Sequence, residues 1–130
     1  MRILVVDDDR DYLGHLAGKL QARGHDVLSA FDGKEARELL DIEHADLIVS
    51  DVVMPNLDGI WFHSYVREFS DMPDIPFIFI TSRDEDVPSD LVVNPSVDLS
   101  VSKKLGLEKI ADRIERFGNA ASAKANPARN

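Results

Sequence analysis

Cysteine is absent from this chain. That absence excludes a disulfide framework, a thiolate metal site and a cysteine nucleophile. No run of about 18 apolar residues exists either, the length a membrane-spanning helix needs. The first apolar stretch, Ile3-Leu4-Val5-Val6, is too short for a signal peptide, and no small-residue cleavage site follows it. Positive charge is scarce: 15 Lys and Arg stand against 24 Asp and Glu, a formal net charge of −9. This balance argues against direct binding of nucleic acid or of anionic lipid. The default expectation is a cytoplasmic protein with no membrane contact. The remaining composition, 44% hydrophobic and 30% charged over 130 residues, is that of one ordinary globular domain.

What the chain does hold is aspartate in telling places. Ile3-Leu4-Val5-Val6 stops at Asp7-Asp8-Asp9, and Leu47-Ile48-Val49-Ser50 stops at Asp51. Short, continuous apolar runs of this kind read as strands buried on both faces of a parallel sheet. Parallel strands place their carboxyl ends, and so the aspartates, side by side. Carboxylates gathered there repel one another and resist dehydration. A divalent cation is the simplest compensation, and Mg²⁺ prefers such hard oxygen ligands. The acidic residues Asp71, Asp74, Asp84, Glu85, Asp86 and Asp90 form a second group, which reads as solvated surface.

Strand-like and helix-like segments alternate five times. Strands are expected over Arg2–Val6, Val27–Ala30, Asp46–Ser50, Phe77–Thr81 and Val97–Ser102. Tyr12, Leu13, Leu16 and Leu20 recur at helical spacing, as do Ala36, Leu39 and Leu40. Ile60, Val66 and Phe69 follow the same period less cleanly, and Leu107, Ile110, Ile114 and Phe117 follow it best. Gly24 and Gly118 read as helix stops. Alternation of this type predicts a single doubly wound α/β domain with right-handed crossovers, its ligand site beyond the carboxyl ends of the strands. The domain is expected over residues 1–118. Residues 119–130 carry no large apolar side chain and read as a disordered tail or linker.

Five features then fall into one arrangement: Asp7-Asp8, the lone Asp51, Thr81 ending the fourth strand, Lys103 after the fifth, and Val52-Val53-Met54-Pro55-Asn56-Leu57-Asp58-Gly59 following Asp51. In this order they resemble the receiver domain of two-component response regulators, over about residues 1–118. The resemblance implies a flavodoxin-like (βα)5 fold with a parallel sheet of order 2-1-3-4-5. It implies that Asp51 accepts a phosphoryl group from a phosphohistidine on a sensor histidine kinase or phosphotransfer protein. Asp8, Asp51 and the backbone carbonyl of Val53 would ligate Mg²⁺, with Asp7 acting largely through bound water. Lys103 would pair with one phosphoryl oxygen and Thr81 would donate its hydroxyl to another. The partner on the output side would be a downstream protein or an attached domain. Such a module performs its own phosphotransfer and is not an enzyme acting on a separate substrate pool.

Each residue also has a plainer reading. Asp9 suits the N-cap of the first helix, which leaves Asp7 and Asp8 for the metal, and Asp58-Gly59 reads as a helix start. His15, His25, His44 and His63 show no ligand spacing and read as surface or partly buried residues. Departures from the family pattern cluster in the last third. Lys104 replaces the proline usual after the lysine, and Ser100 stands where an aromatic residue commonly couples to the threonine. Pro88 and Pro95 bracket a segment expected to form only a short or distorted helix, and readout is expected from order and disorder around 83–96. Val53 and Arg83 occupy positions that tune acyl-phosphate hydrolysis in the family, and their identities predict a slow-to-moderate lifetime. These departures keep open a receiver-fold interaction module whose output is independent of phosphate.

Overall fold

The computed structural model describes residues 1–54, 56, 58–83 and 94–125. Five strands, β1 (Arg2–Val6), β2 (Asp26–Ala30), β3 (Leu47–Asp51), β4 (Phe77–Thr81) and β5 (Asp98–Ser102), form one parallel sheet of order β2-β1-β3-β4-β5. Among the described residues, four helices cover it: α1 (Arg10–Ala22), α2 (Gly33–Ile42), α3 (Gly59–Phe69) and α4 (Leu107–Ala125). A single 3-10 turn, Lys103–Leu105, joins β5 to α4. This is the doubly wound architecture that the alternating pattern predicts, in the flavodoxin-like strand order that the resemblance implies.

The central strands are buried on both faces because Ile3–Val6, Leu47–Val49 and Phe77–Ile80 are apolar throughout. Ile3, Val5, Leu47, Val49, Ile78 and Ile80 face α1 and α4, where Leu13, Leu16, Leu20, Ile110 and Ile114 meet them. Leu4, Val6, Ile48, Phe77 and Phe79 turn the other way, against Ala36, Phe62 and Val66. Alternate residues thus serve two separate cores. Aspartate opens three of the helices. Asp9, Asp32 and Asp58 accept from the amides of Tyr12, Glu35 and Trp61 at 3.1, 2.8 and 2.9 Å. Arg23 straps α1 to α4 through Glu108, Asp112 and Glu115.

Several sequence expectations need correction. Gly118 does not stop the last helix, which runs on to Ala125. Residues 119–125 are helical, because Asn119-Ala120-Ala121-Ser122-Ala123-Lys124-Ala125 is rich in the strongest helix former. Gly118 serves a close approach instead: a Cβ there would lie 2.6 Å from Met1 Sδ. Gly24 does end α1, with φ +91°. His63 is neither on the surface nor partly exposed. It is buried on α3 against Phe77 and Phe79, with Nε2 2.8 Å from Asp98 Oδ1. The short helix expected between Pro88 and Pro95, and most of the 83–96 readout segment, lie outside the described residues.

Candidate functional site

Parallel register assembles the acidic pocket. Val6 pairs with Ser50, so the next residues, Asp7 and Asp51, lie side by side at the carboxyl edge. Asp51 itself pairs with Ile80, and Thr81 with Ser102, which brings Lys103 to the same edge. Ligand oxygens of Asp7, Asp8 and Asp51 all lie within 4.8 Å of one another. Lys103 Nζ stands 2.7 Å from Asp7 Oδ2 and 3.3 Å from Asp51 Oδ2.

The loop after β3 is held against this edge by its glycine. Gly59 N–H donates to the Val52 carbonyl at 2.9 Å, and a Cβ on Gly59 would fall 1.9 Å from the Asp51 carbonyl oxygen. Any side chain there would displace the end of β3, so the helix start serves the pocket as well. Asn56, in the left-handed region at φ 61°, donates from Nδ2 to Asp32 Oδ2 at 3.0 Å. The carboxylates are oriented by backbone: Asp7 Oδ1 accepts from Asp9 N at 2.9 Å, and Asp51 Oδ1 from Val52 N at 2.8 Å.

Charge in the pocket is unbalanced. Burial and the neighbouring Asp7 push the Asp51 carboxyl up to about 6, against the pull of Lys103 and of the Val52 amide. Burial opposes the Lys103 ammonium, yet Asp7 and Asp51 outweigh it and hold its pKa above the ordinary lysine value. Asp7 is 1% exposed, and its Oδ2 has the Lys103 ion pair but no well-directed hydrogen bond. Asp8 is exposed and makes no hydrogen bond among the described residues. A buried carboxylate oxygen held by an ion pair without a well-directed hydrogen bond, beside two further carboxylates, suits a hard divalent cation. Such a pocket offers a carboxylate nucleophile with one ammonium beside it.

The other expected site residues sit at the rim. Thr81 is buried at the end of β4, and its hydroxyl is occupied locally: it donates to the Arg83 carbonyl at 2.9 Å and accepts from Arg83 N at 3.1 Å. Val53 follows two residues after Asp51 with a 60% exposed side chain. Ser100 is exposed on β5. The bond between Lys103 and Lys104 is trans, since no cis peptide occurs among the described residues. Sequence reasoning treated Tyr12 only as a core position. Its ring centroid lies 4.4 Å from Lys103 Nζ, a contact across elements far apart in sequence.

Comparison with known proteins agrees with this geometry. A family model described as the response regulator receiver domain matches residues 3–115. The chain belongs to that family. It is 33% identical over 114 residues to the alkaline phosphatase synthesis transcriptional regulatory protein PhoP of Bacillus subtilis, covering 88% of this chain and 47% of that protein. The receiver chain thus spans about half the length of the curated relatives it matches. The receiver domain of the Francisella response regulator 1452 superposes with a TM-score of 0.75 at 27% identity, over 91% of this chain and 96% of that one. TrrA of Thermotoga maritima, solved in complex with Mg²⁺-BeF, superposes with a TM-score of 0.77 at 24% identity, over 89% and 97% of the two chains, and shares the fold.

Proposed function

We propose that this domain is a phosphorylation-switched receiver that takes a phosphoryl group from a phosphohistidine of a sensor histidine kinase or phosphotransfer protein. The observation that carries the reading is the meeting of Asp51, with its carboxyl raised to about 6, with Asp7, Asp8 and Lys103 at one sheet edge. At neutral pH Asp51 is largely ionised and competent as a nucleophile. Its carboxylate oxygen forms a bond to phosphorus as the bond from phosphorus to the donor imidazole breaks, leaving an acyl phosphate. Lys103 exchanges its contact with Asp51 for a phosphoryl oxygen. Asp8, Asp51 and the Val53 carbonyl would hold Mg²⁺, with Asp7 through water. When bound, the cation spreads the charge developing on the phosphoryl oxygens. The cation in the TrrA complex supports this assignment by analogy of fold.

Thr81 would release its Arg83 backbone contacts to donate to the phosphoryl group, and those contacts are the local change that reports phosphorylation. The exposed Ser100 cannot couple to it as a buried aromatic ring would. This favours, as a second reading, an interaction module whose binding does not depend on phosphate. On either reading the partner is a downstream protein or an attached output domain.

Incubation with Mg²⁺ and a small acyl phosphate, followed by intact mass, tests the first reading. Wild type should gain one phosphate and Asp51→Asn none. Phosphate on Asp51 without any change in partner binding would favour the second reading. An unmodified wild type under these conditions would overturn the first.

A further inference from the structure

We propose that Tyr12 is a positioning residue of this pocket, its ring face holding the Lys103 ammonium where an arriving phosphoryl group needs it. The inference rests on the phosphoacceptor reading of Asp51. A lysine side chain is a point charge on a flexible four-carbon stem, so something must fix where the charge sits. Three contacts surround this ammonium: Asp7 Oδ2 at 2.7 Å, Asp51 Oδ2 at 3.3 Å and the Tyr12 ring centroid at 4.4 Å. The last distance is well inside the reach of a cation–π contact.

The three contacts differ in how they respond to the reaction. Asp51 loses its free carboxylate when it is phosphorylated, and Asp7 would be drawn towards the hydration shell of a bound cation. The ring alone keeps its charge distribution through the cycle. Tyr12 is itself well anchored. It lies in the first turn of α1, its amide is capped by Asp9 at 3.1 Å, and its ring packs at the margin of the core. Burial, with the nearby Asp7 and Asp51 charges, raises its phenol pKa. The hydroxyl is buried without a hydrogen-bond partner. Packing alone would be served by leucine, which offers the ammonium no ring face.

The test compares Tyr12→Phe, Tyr12→Leu and Tyr12→Met with wild type, using Mg²⁺ and a small acyl phosphate. Tyr12→Phe should keep the rate of phosphate incorporation, whereas both non-aromatic variants should lose about tenfold. In a Lys103→Ala background, Tyr12→Leu should cause no further loss, an outcome a purely structural role does not give. Nuclear magnetic resonance supplies a second readout. The Lys103 ε-methylene protons should be shifted upfield by the ring in wild type and Tyr12→Phe, and should return to ordinary values in Tyr12→Leu. Wild-type rates in both Tyr12→Leu and Tyr12→Met would overturn the proposal. Equal losses in Tyr12→Phe and Tyr12→Leu would also overturn it, by moving the role to the hydroxyl. If wild type itself takes no phosphate, the phosphoacceptor reading fails, and unmoved methylene shifts in Tyr12→Leu would then decide separately against the ring contact.

Discussion

Two buried polar clusters lie at opposite edges of the same sheet, and they are built on opposite principles. At the amino edge, Asp98 opens β5 with 3% exposure and meets His63 Nε2 at 2.8 Å and Arg67 Nη2 at 2.6 Å. Arg67 also donates to the carbonyl oxygens of Pro73, Ile75 and Val97 at 2.9, 2.7 and 3.1 Å, tying α3 to the chain entering β4 and β5. Burial works against the Asp98 carboxylate, but His63 and Arg67 outweigh it and hold its pKa below the ordinary value. At the carboxyl edge three carboxylates gather, one ammonium pairs with only two of them, and the Asp51 carboxyl is pushed up. A cluster whose acid is fully paired stabilises the fold, even though Arg67 Nε finds no hydrogen-bond partner there. An incomplete one stores a demand for a cation and is available for chemistry.

The sharpest test of this contrast is to break the completed cluster. Asp98→Ala leaves Arg67 buried without its carboxylate and should cost about 3–5 kcal/mol in urea unfolding. Asp51→Asn, by comparison, should leave the domain at least as stable as wild type. A small loss at Asp98 would erase the distinction.

Next in size is the response to Mg²⁺. At a hundredfold excess over its Kd, the ion should stabilise wild type by about 2.7 kcal/mol. Asp8→Asn should lose most of that gain in a thermal melt, while Asp98→Ala, corrected for its lower baseline, should keep it. Equal stabilisation of wild type and Asp8→Asn would remove Asp8 from the cation site.

The smallest effect is in the pH profile without Mg²⁺, where the two acids carry opposite signs. Asp51 has a folded pKa of about 6 against an ordinary 3.8, so its protonation favours the fold. That contribution is fully present below 3.8 and is lost as pH rises through 6. After solvent screening it amounts to on the order of 1–2 kcal/mol. Asp98 is depressed, so its contribution is present above 3.8 and is lost as pH falls through its lower folded value. Wild type should therefore gain stability relative to Asp51→Asn between pH 7 and pH 4. Parallel profiles for the two proteins would contradict the raised Asp51 carboxyl.

Legibility in the sequence follows the range of the interaction. The strands over Ile3–Val6 and Leu47–Ser50 were readable because both faces demand apolar residues, and the Asp9 and Asp58 caps because they act within three residues. The carboxylate pocket followed from two strand ends and one assumption of parallel pairing. Gly118 misled because a glycine late in an amphipathic segment suits a helix end as well as a close contact. Only the packing of Met1 beneath it distinguishes the two. His63 carried no signal at all, since its partner Asp98 reaches α3 from β5, 35 residues away, and no local pattern encodes that approach.

The sequence by itself determined the alternation of strands and helices, the acidic strand ends and the family to which they point. These depend on near-neighbour periodicity and on residue chemistry. Only the tertiary structure decided that Lys103 lies between Asp7 and Asp51 with Tyr12 across it, and that Asp98 is a satisfied acid rather than a reactive one. A carboxylate's role depends on which charges share its low-dielectric surroundings, and those charges arrive from distant segments of the chain.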